Sequence, residues 1–254
     1  MTKVAFCFIV KDGEKYLAKN IQKIINLANE CSFEYRIYYV ENDSVDNTIN
    51  ILKKYKKQYN NIYGKHLKLD GLHSTNLCKN NINVNCSKRT RRLAYLRNLV
   101  LEQAKLWSDC DYLIMLDLDF IDFNKKEFKN MFTIINNNSN INGIFGMSVN
   151  KNKHYYDTGA IRPENKIFNL MISNKKLIKV KSAFSGFGIY KMKSIRNIKY
   201  NIKTNEIEHI DFNKKLKNLY IYTPFNPIYE GPSYVFELII NFIFIMFVII
   251  LFFM

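Results

Sequence analysis

Tyr112-Leu113-Ile114-Met115-Leu116-Asp117-Leu118-Asp119 is an apolar run that ends in two carboxylates two residues apart. The run predicts a buried strand, and a strand that passes straight from apolar residues into acid marks a site, because burying unpaired charge is costly. The i, i+2 spacing aims both carboxylates to one side of an extended backbone, where a hard divalent cation is able to bridge them.

Outward from this stretch the pattern alternates as in an α/β domain. Val4 to Val10 reads as a first buried strand, and Glu14 to Asn29 as an amphipathic helix through Leu17, Ile21, Ile24, Ile25 and Ala28. Arg36 to Val40 is a second strand, followed by Glu41-Asn42-Asp43-Ser44-Val45-Asp46-Asn47-Thr48, a cluster of capping residues that opens a second helix. Asn61 to Leu69 predicts a third strand, Asp70 to Ser87 a long polar loop, and Thr90 to Trp107 a helix with Leu93, Leu96, Val100, Ala104 and Trp107 on one stripe. Such alternation places ligands at the carboxyl ends of parallel strands, so both acidic clusters are expected to face one crevice. Arg92 and Arg97 on the intervening helix are placed to reach a diphosphate, and Arg97 with Asn98 interrupts an otherwise apolar pattern.

The 254 residues, 48% of them hydrophobic, suffice for one sizeable core, read as a catalytic unit over residues 1–230 and a tail. Lysine and arginine number 38 against 22 acidic residues, a net charge of +16 that favours anionic partners. The charge is spread along the chain in company with abundant Asn and Ile, which argues against a nucleic-acid footprint. The five cysteines form no Cys-x-x-Cys pair, and free thiols in a reducing compartment fit better than disulfides or zinc. No signal peptide precedes the first strand. From Leu238 to Met254 the only polar residue is Asn241, and as a helix this run would span about 26 Å. Residues 235–254 are therefore expected to be a single-pass membrane anchor, with the catalytic unit on the cytosolic side and the lysines upstream of the anchor.

In order, Val40 to Thr48, Arg92 to Asn98 and Tyr112 to Asp119 resemble the nucleotide-sugar half of an A-type-fold glycosyltransferase. Tyr155-Tyr156-Asp157-Thr158-Gly159-Ala160-Ile161-Arg162, Ser185-Gly186-Phe187-Gly188-Ile189-Tyr190 and Glu208-His209-Ile210-Asp211-Phe212 are similar to segments of the fungal capsule-associated α-1,3-mannosyltransferase family. The resemblance implies a Rossmann-like mixed α/β sheet and metal-dependent transfer of a hexose, with mannose the candidate, from a nucleotide diphosphate sugar to a glycan, lipid or protein acceptor. On this likeness Glu41, Asn42 and Asp43 read the base or ribose, and Arg92 and Arg97 meet the diphosphate. Asp117 touches ribose or metal, Asp119 ligates Mn2+ or Mg2+, and His209 supplies a further metal ligand. Gly186, Phe187 and Gly188 would lie close to the donor. Asp157, Glu208 and Asp211 are the candidates for the acceptor base that an inverting enzyme needs.

The chain differs from that family in two places. Its expected anchor is C-terminal rather than N-terminal, and Pro163 follows Arg162 where an acidic residue is expected. Two other classes compete. A haloacid-type phosphatase also uses Asp-x-Asp, but after its first strand, whereas here three strands come earlier. A membrane-tethered binding module that kept the fold without catalysis is the other alternative.

Overall fold

The structure is a computed structural model that describes residues 1–69, 84–153, 155, 159–164 and 175–230, with the side chains of the helix beginning at Val84 described from Arg89. The anchor expected over residues 235–254 and the base candidate Asp157 lie outside these residues. No helix among the described residues is long and apolar enough to cross a membrane.

In chain order the elements are β1 (Lys3–Val10), α1 (Glu14–Glu30), β2 (Glu34–Asn42), α2 (Thr48–Gln58), β3 (Ile62–Leu67) and α3 (Val84–Lys105). They continue with β4 (Tyr112–Leu116), β5 (Phe120–Asp122), α4 (Lys125–Asn137), β6 (Gly143–Gly146), β7 (Val149–Asn150) and β8 (Arg162–Pro163). The remainder are β9 (Leu177–Ser182), β10 (Phe187–Lys191), α5 (Met192–Ile195), α6 (Glu208–Asn213), β11 (Leu219–Tyr222) and β12 (Ile228–Tyr229). A nine-stranded sheet runs β3-β2-β1-β4-β10-β6-β11-β9-β8, and a small sheet runs β5-β12-β7. The half containing β3, β2, β1 and β4 is parallel, and β10 enters antiparallel to β4. This is the mixed sheet expected from the sequence.

Burial explains why β1 has no polar face. Val4, Phe6 and Phe8 join one core layer with the apolar stripe of α1 and with α4, while Ala5 and Cys7 join a second layer with α3. Alternation sends successive side chains to opposite faces, so a strand covered on both sides must be apolar throughout. Several boundaries differ from expectation, two of them instructively. β2 extends to Asn42 because Glu41 and Asn42 still pair with His66 and Leu67 of β3, and α3 begins at Val84 rather than Thr90.

The chain leaves β4 through a clamp. Asp117 N–H donates to the Gly186 carbonyl at 2.9 Å, and the Tyr229 hydroxyl donates to the same carbonyl at 2.9 Å. On the other side the buried Asn20 of α1 donates to the carbonyls of Leu118 at 2.7 Å and Phe120 at 2.6 Å. Gly186 has φ +69°, and a Cβ there would lie 2.4 Å from the Tyr229 hydroxyl oxygen. Gly186→Ala is therefore expected to destabilise the fold by about 2 kcal/mol or more, from left-handed backbone and the clash together. Chemical denaturation compared with wild type would show it, and an unchanged midpoint would contradict this account of the clamp.

Candidate functional site

The carboxyl ends of β1, β2 and β4 open into a cavity of about 470 Å3, lined by Lys11, Asp12, Gly13, Lys15 and Tyr16 after β1, by Asn42 of β2, and by Asp117 and Asp119 after β4. Arg89, Arg92 and Arg97 of α3 complete the wall. Acid on the floor therefore faces cations on the side. Neither Arg89 nor Arg92 forms an ion pair among the described residues.

The two loops that start α1 and α2 build one another. Asp12, Gly13 and Glu14 donate their N–H groups to Ser44 Oγ (3.0 Å), Thr48 Oγ1 (2.7 Å) and Asp46 Oδ2 (2.9 Å). In return Val45 and Asn47 donate to Asp12 Oδ1 (2.8 Å) and Glu14 Oε2 (3.1 Å). Gly13, at the N-cap of α1, has no side chain to cap its own helix, so α1 takes its cap from the neighbouring turn.

This reciprocity explains where the first acidic cluster goes. Glu41 is buried, accepts the Ser44 N–H at 2.8 Å and lies 3.1 Å from His66 Nδ1. Asp43 has φ +54°, accepts the Leu69 N–H at 2.6 Å and receives the Asn42 amide at 3.1 Å. Glu41 holds the backbone of its own turn and Asp43 that of the segment after β3, and of the three residues only Asn42 lines the cavity.

Arg97 is buried at the cavity floor. Its Nη2 donates to Asp117 Oδ1 at 3.1 Å and its Nε to Glu208 Oε1 at 3.1 Å. Its guanidinium carbon stands 4.6 Å from the centre of the Phe184 ring, and its Nη1 has no hydrogen-bond partner among the described residues. Burial alone would lower the Arg97 pKa, but the charges of Asp117 and Glu208 outweigh it and hold the group above its ordinary range.

Asp119 has its pKa pushed up to about 6, first by desolvation and then by the negative charge of Asp117. The residue is open to solvent at the cavity, yet protein surrounds it on several sides, so it is hydrated less than on a convex surface. Asp117 and Asp119 are hard oxygen donors whose mutual repulsion a divalent cation would relieve, and that donor chemistry fits Mn2+ or Mg2+.

His209 is not brought to them. Its ring is buried, stacked on Phe184 at 3.6 Å between centres, and its Nε2, 3.7 Å from Glu208 Oε1, has no hydrogen-bond partner among the described residues. Burial and the nearby Arg97 hold its pKa well below the ordinary histidine value, so it is neutral. Among the described residues no group of three or more His, Cys, Asp or Glu side chains is placed to hold a metal.

The remaining expected residues divide in the same way. Glu208 is buried and engaged with Arg97, which leaves it unsuited to the role of acceptor base. Asp211 accepts the Asn201 amide at 2.9 Å and is not part of the cavity wall. Phe187 lies fully buried among Phe123, Phe128 and Phe225, where an apolar core excludes a donor. Gly186 serves the clamp, and a Cβ on Gly188 would lie 2.9 Å from the Phe145 ring.

Solved structures share this fold. TarS of S. aureus aligns over 93% of this chain and 63% of its own with a TM-score of 0.55 at 16% identity. A mannosyltransferase of Pyrobaculum calidifontis, solved with GDP-Man and Mn2+, aligns over 91% and 57% with a TM-score of 0.53 at 8% identity. GalNAc-T7, solved with UDP, GalNAc and Mn2+, aligns over 90% and 44% with a TM-score of 0.55 at 11% identity. The fold is that of the A-type glycosyltransferases. The chain spans less than two thirds of the length of these proteins. No family model matches the sequence, and no curated protein does.

Within the A-type fold, the cavity residues that sequence reasoning missed are those after β1, namely Lys11, Asp12, Lys15 and Tyr16, together with Arg89. The signal available for the first group was position alone: in a parallel sheet the turn after the first strand must border the same crevice as the turn after its neighbours.

Because the folded state binds the Asp119 proton more tightly than the unfolded chain does, its stability falls as the pH rises from about 4 to about 6. Without divalent cation, Asp119→Asn is expected to be more stable than wild type near pH 7, by about 1 kcal/mol after allowance for solvent screening. The gap should close as the pH drops through 6 towards 4. Melting curves across that range would test this, and a variant less stable at pH 7 would refute it.

Proposed function

We propose that this chain is a metal-dependent glycosyltransferase that moves a hexose from a nucleoside diphosphate sugar to a glycan, lipid or protein acceptor. The observation that carries the reading is the cavity at the parallel strand ends, where Asp117 and Asp119 face Arg89 and Arg92. A nucleoside diphosphate needs both signs of charge: carboxylates to hold a cation against it and guanidinium groups to meet its remaining oxygens. The UDP of the TarS complex and the GDP-Man and Mn2+ of the archaeal mannosyltransferase support the same donor class.

Asp119, with Asp117, would hold Mn2+ or Mg2+. When bound, the cation supplies neutralisation of the charge that develops on the departing diphosphate. Arg89 and Arg92 would orient the phosphates from α3, and Asn42 and the turn Lys11 to Tyr16, which also line the cavity, would meet base and ribose. The apolar run Leu238 to Met254 supports a membrane anchor. Mannose as the transferred hexose rests on the likeness of short segments to the capsule-associated family.

A melting-temperature panel of UDP, GDP and CMP, each with and without Mn2+, tests the proposal. At about 100 times its dissociation constant the matching nucleotide should add about 2.7 kcal/mol, a rise of roughly 5–10 °C that depends on metal. Asp119→Ala should abolish the metal-dependent part of that rise and metal-dependent hydrolysis of the sugar donor, and Arg92→Ala should weaken nucleotide binding with or without metal. No rise with any nucleotide in the presence of Mn2+ would refute the proposal.

A further inference from the structure

Glu208 presents a puzzle of placement. It is buried and it is not part of the cavity wall. What it touches is Arg97, through Nε, while the other arm of the same guanidinium touches Asp117. We propose that Glu208 is a positioning residue, which sets the orientation and the available charge of Asp117 through Arg97 and so tunes how tightly the floor of the cavity holds a divalent cation. This inference rests on the donor and metal reading given under Proposed function.

Two physical arguments support it. The first is geometric. A guanidinium is planar and rigid, so fixing Nε on Glu208 at 3.1 Å fixes where Nη2 points, and Nη2 meets Asp117 Oδ1 at 3.1 Å. The Phe184 ring, 4.6 Å from the guanidinium carbon, covers its face and leaves the side chain little freedom to re-aim. Asp117 is thereby held from the side chain by Arg97 and from the backbone by Gly186.

The second argument is a count of charge. Asp117, Asp119 and Glu208 stand against Arg97, which leaves two negative charges at the floor, the number a divalent cation neutralises. Without the Glu208 charge, Arg97 would have only Asp117 as its counter-ion. It would then compete with the cation for that carboxylate, in a medium where close charges interact strongly. Residues behind a metal ligand commonly act in this way, by orienting the ligand rather than by touching the metal.

The test is Mn2+ binding by the full chain, read from the electron paramagnetic resonance signal of free Mn2+, with no substrate present. Glu208→Gln is close to isosteric and removes only the charge. It is expected to weaken Mn2+ binding roughly 10-fold, and Glu208→Asp, which keeps the charge, to restore most of it. In an Asp117→Asn background the Glu208→Gln change should have no further effect, because its route to the cation is gone.

If Glu208→Gln does not fold, Arg97→Lys serves in its place. It keeps the positive charge but cannot bridge both carboxylates, and a comparable loss is expected. Mn2+ affinity unchanged in a folded Glu208→Gln or Arg97→Lys protein would overturn the inference, as would an equal loss in the Asp117→Asn background. Wild-type protein that binds no Mn2+ even with a nucleoside diphosphate would instead overturn the donor and metal reading itself.

Discussion

A chain that must leave a buried sheet between two carboxylates has to satisfy every peptide group it turns away from the ladder. Here Asn20, the Gly186 carbonyl and the Tyr229 hydroxyl do so, binding the backbone of Asp117 to Phe120 from two sides. An unsatisfied buried amide or carbonyl costs about 1–3 kcal/mol, so losing one partner would be felt at all the others. The remainder of the site is arranged around this fixed point. The cavity opens above it, α3 places Arg97 beside it, and Tyr229 of β12 reaches the residue before β10 from the small sheet. The two acids can stay close, at the cost of mutual repulsion, because their backbone has nowhere else to go.

The parallel half of the fold was legible because burial on both faces leaves an unmistakable mark. β1, α1, α2 and β4 follow from apolar runs, helical stripes and capping residues that all agree with one another. The boundary of β2 was less so. Glu41 and Asn42 look like loop residues by type, but pairing with β3 keeps them in the strand. The second half is built from strands of two to six residues whose partners are distant in sequence, and no local pattern encodes such pairings.

The candidate site was legible where function follows from position and obscure where it follows from what a side chain touches. Asp117, Asp119, Asn42, Arg92 and Arg97 all reach the cavity. Glu41, Asp43, Glu208 and His209 are polar groups of the right type that the fold spends on its own backbone or buries in a second layer. A sequence shows that an acidic residue is present. It does not show that a backbone N–H three residues on, as at Ser44, will claim it.

The exchanged caps between the first two βα turns bear on how the domain assembles. Ser44, Asp46 and Thr48 bond to amides 32 to 35 residues earlier in the chain, and Glu14 bonds to one 33 residues later. The first amide of α1, that of Glu14, is therefore closed from the other turn, by Asp46, while the first amide of α2, that of Thr48, is closed by Asp46 locally at 3.0 Å. The cross-turn bonds close only when β1 and β2 come side by side, so one long-range pairing makes five of them together. Such an arrangement trades early, local helix formation for cooperativity. The cavity wall formed by the turn after β1 is thus braced by the turn after β2 and depends on the sheet beneath both.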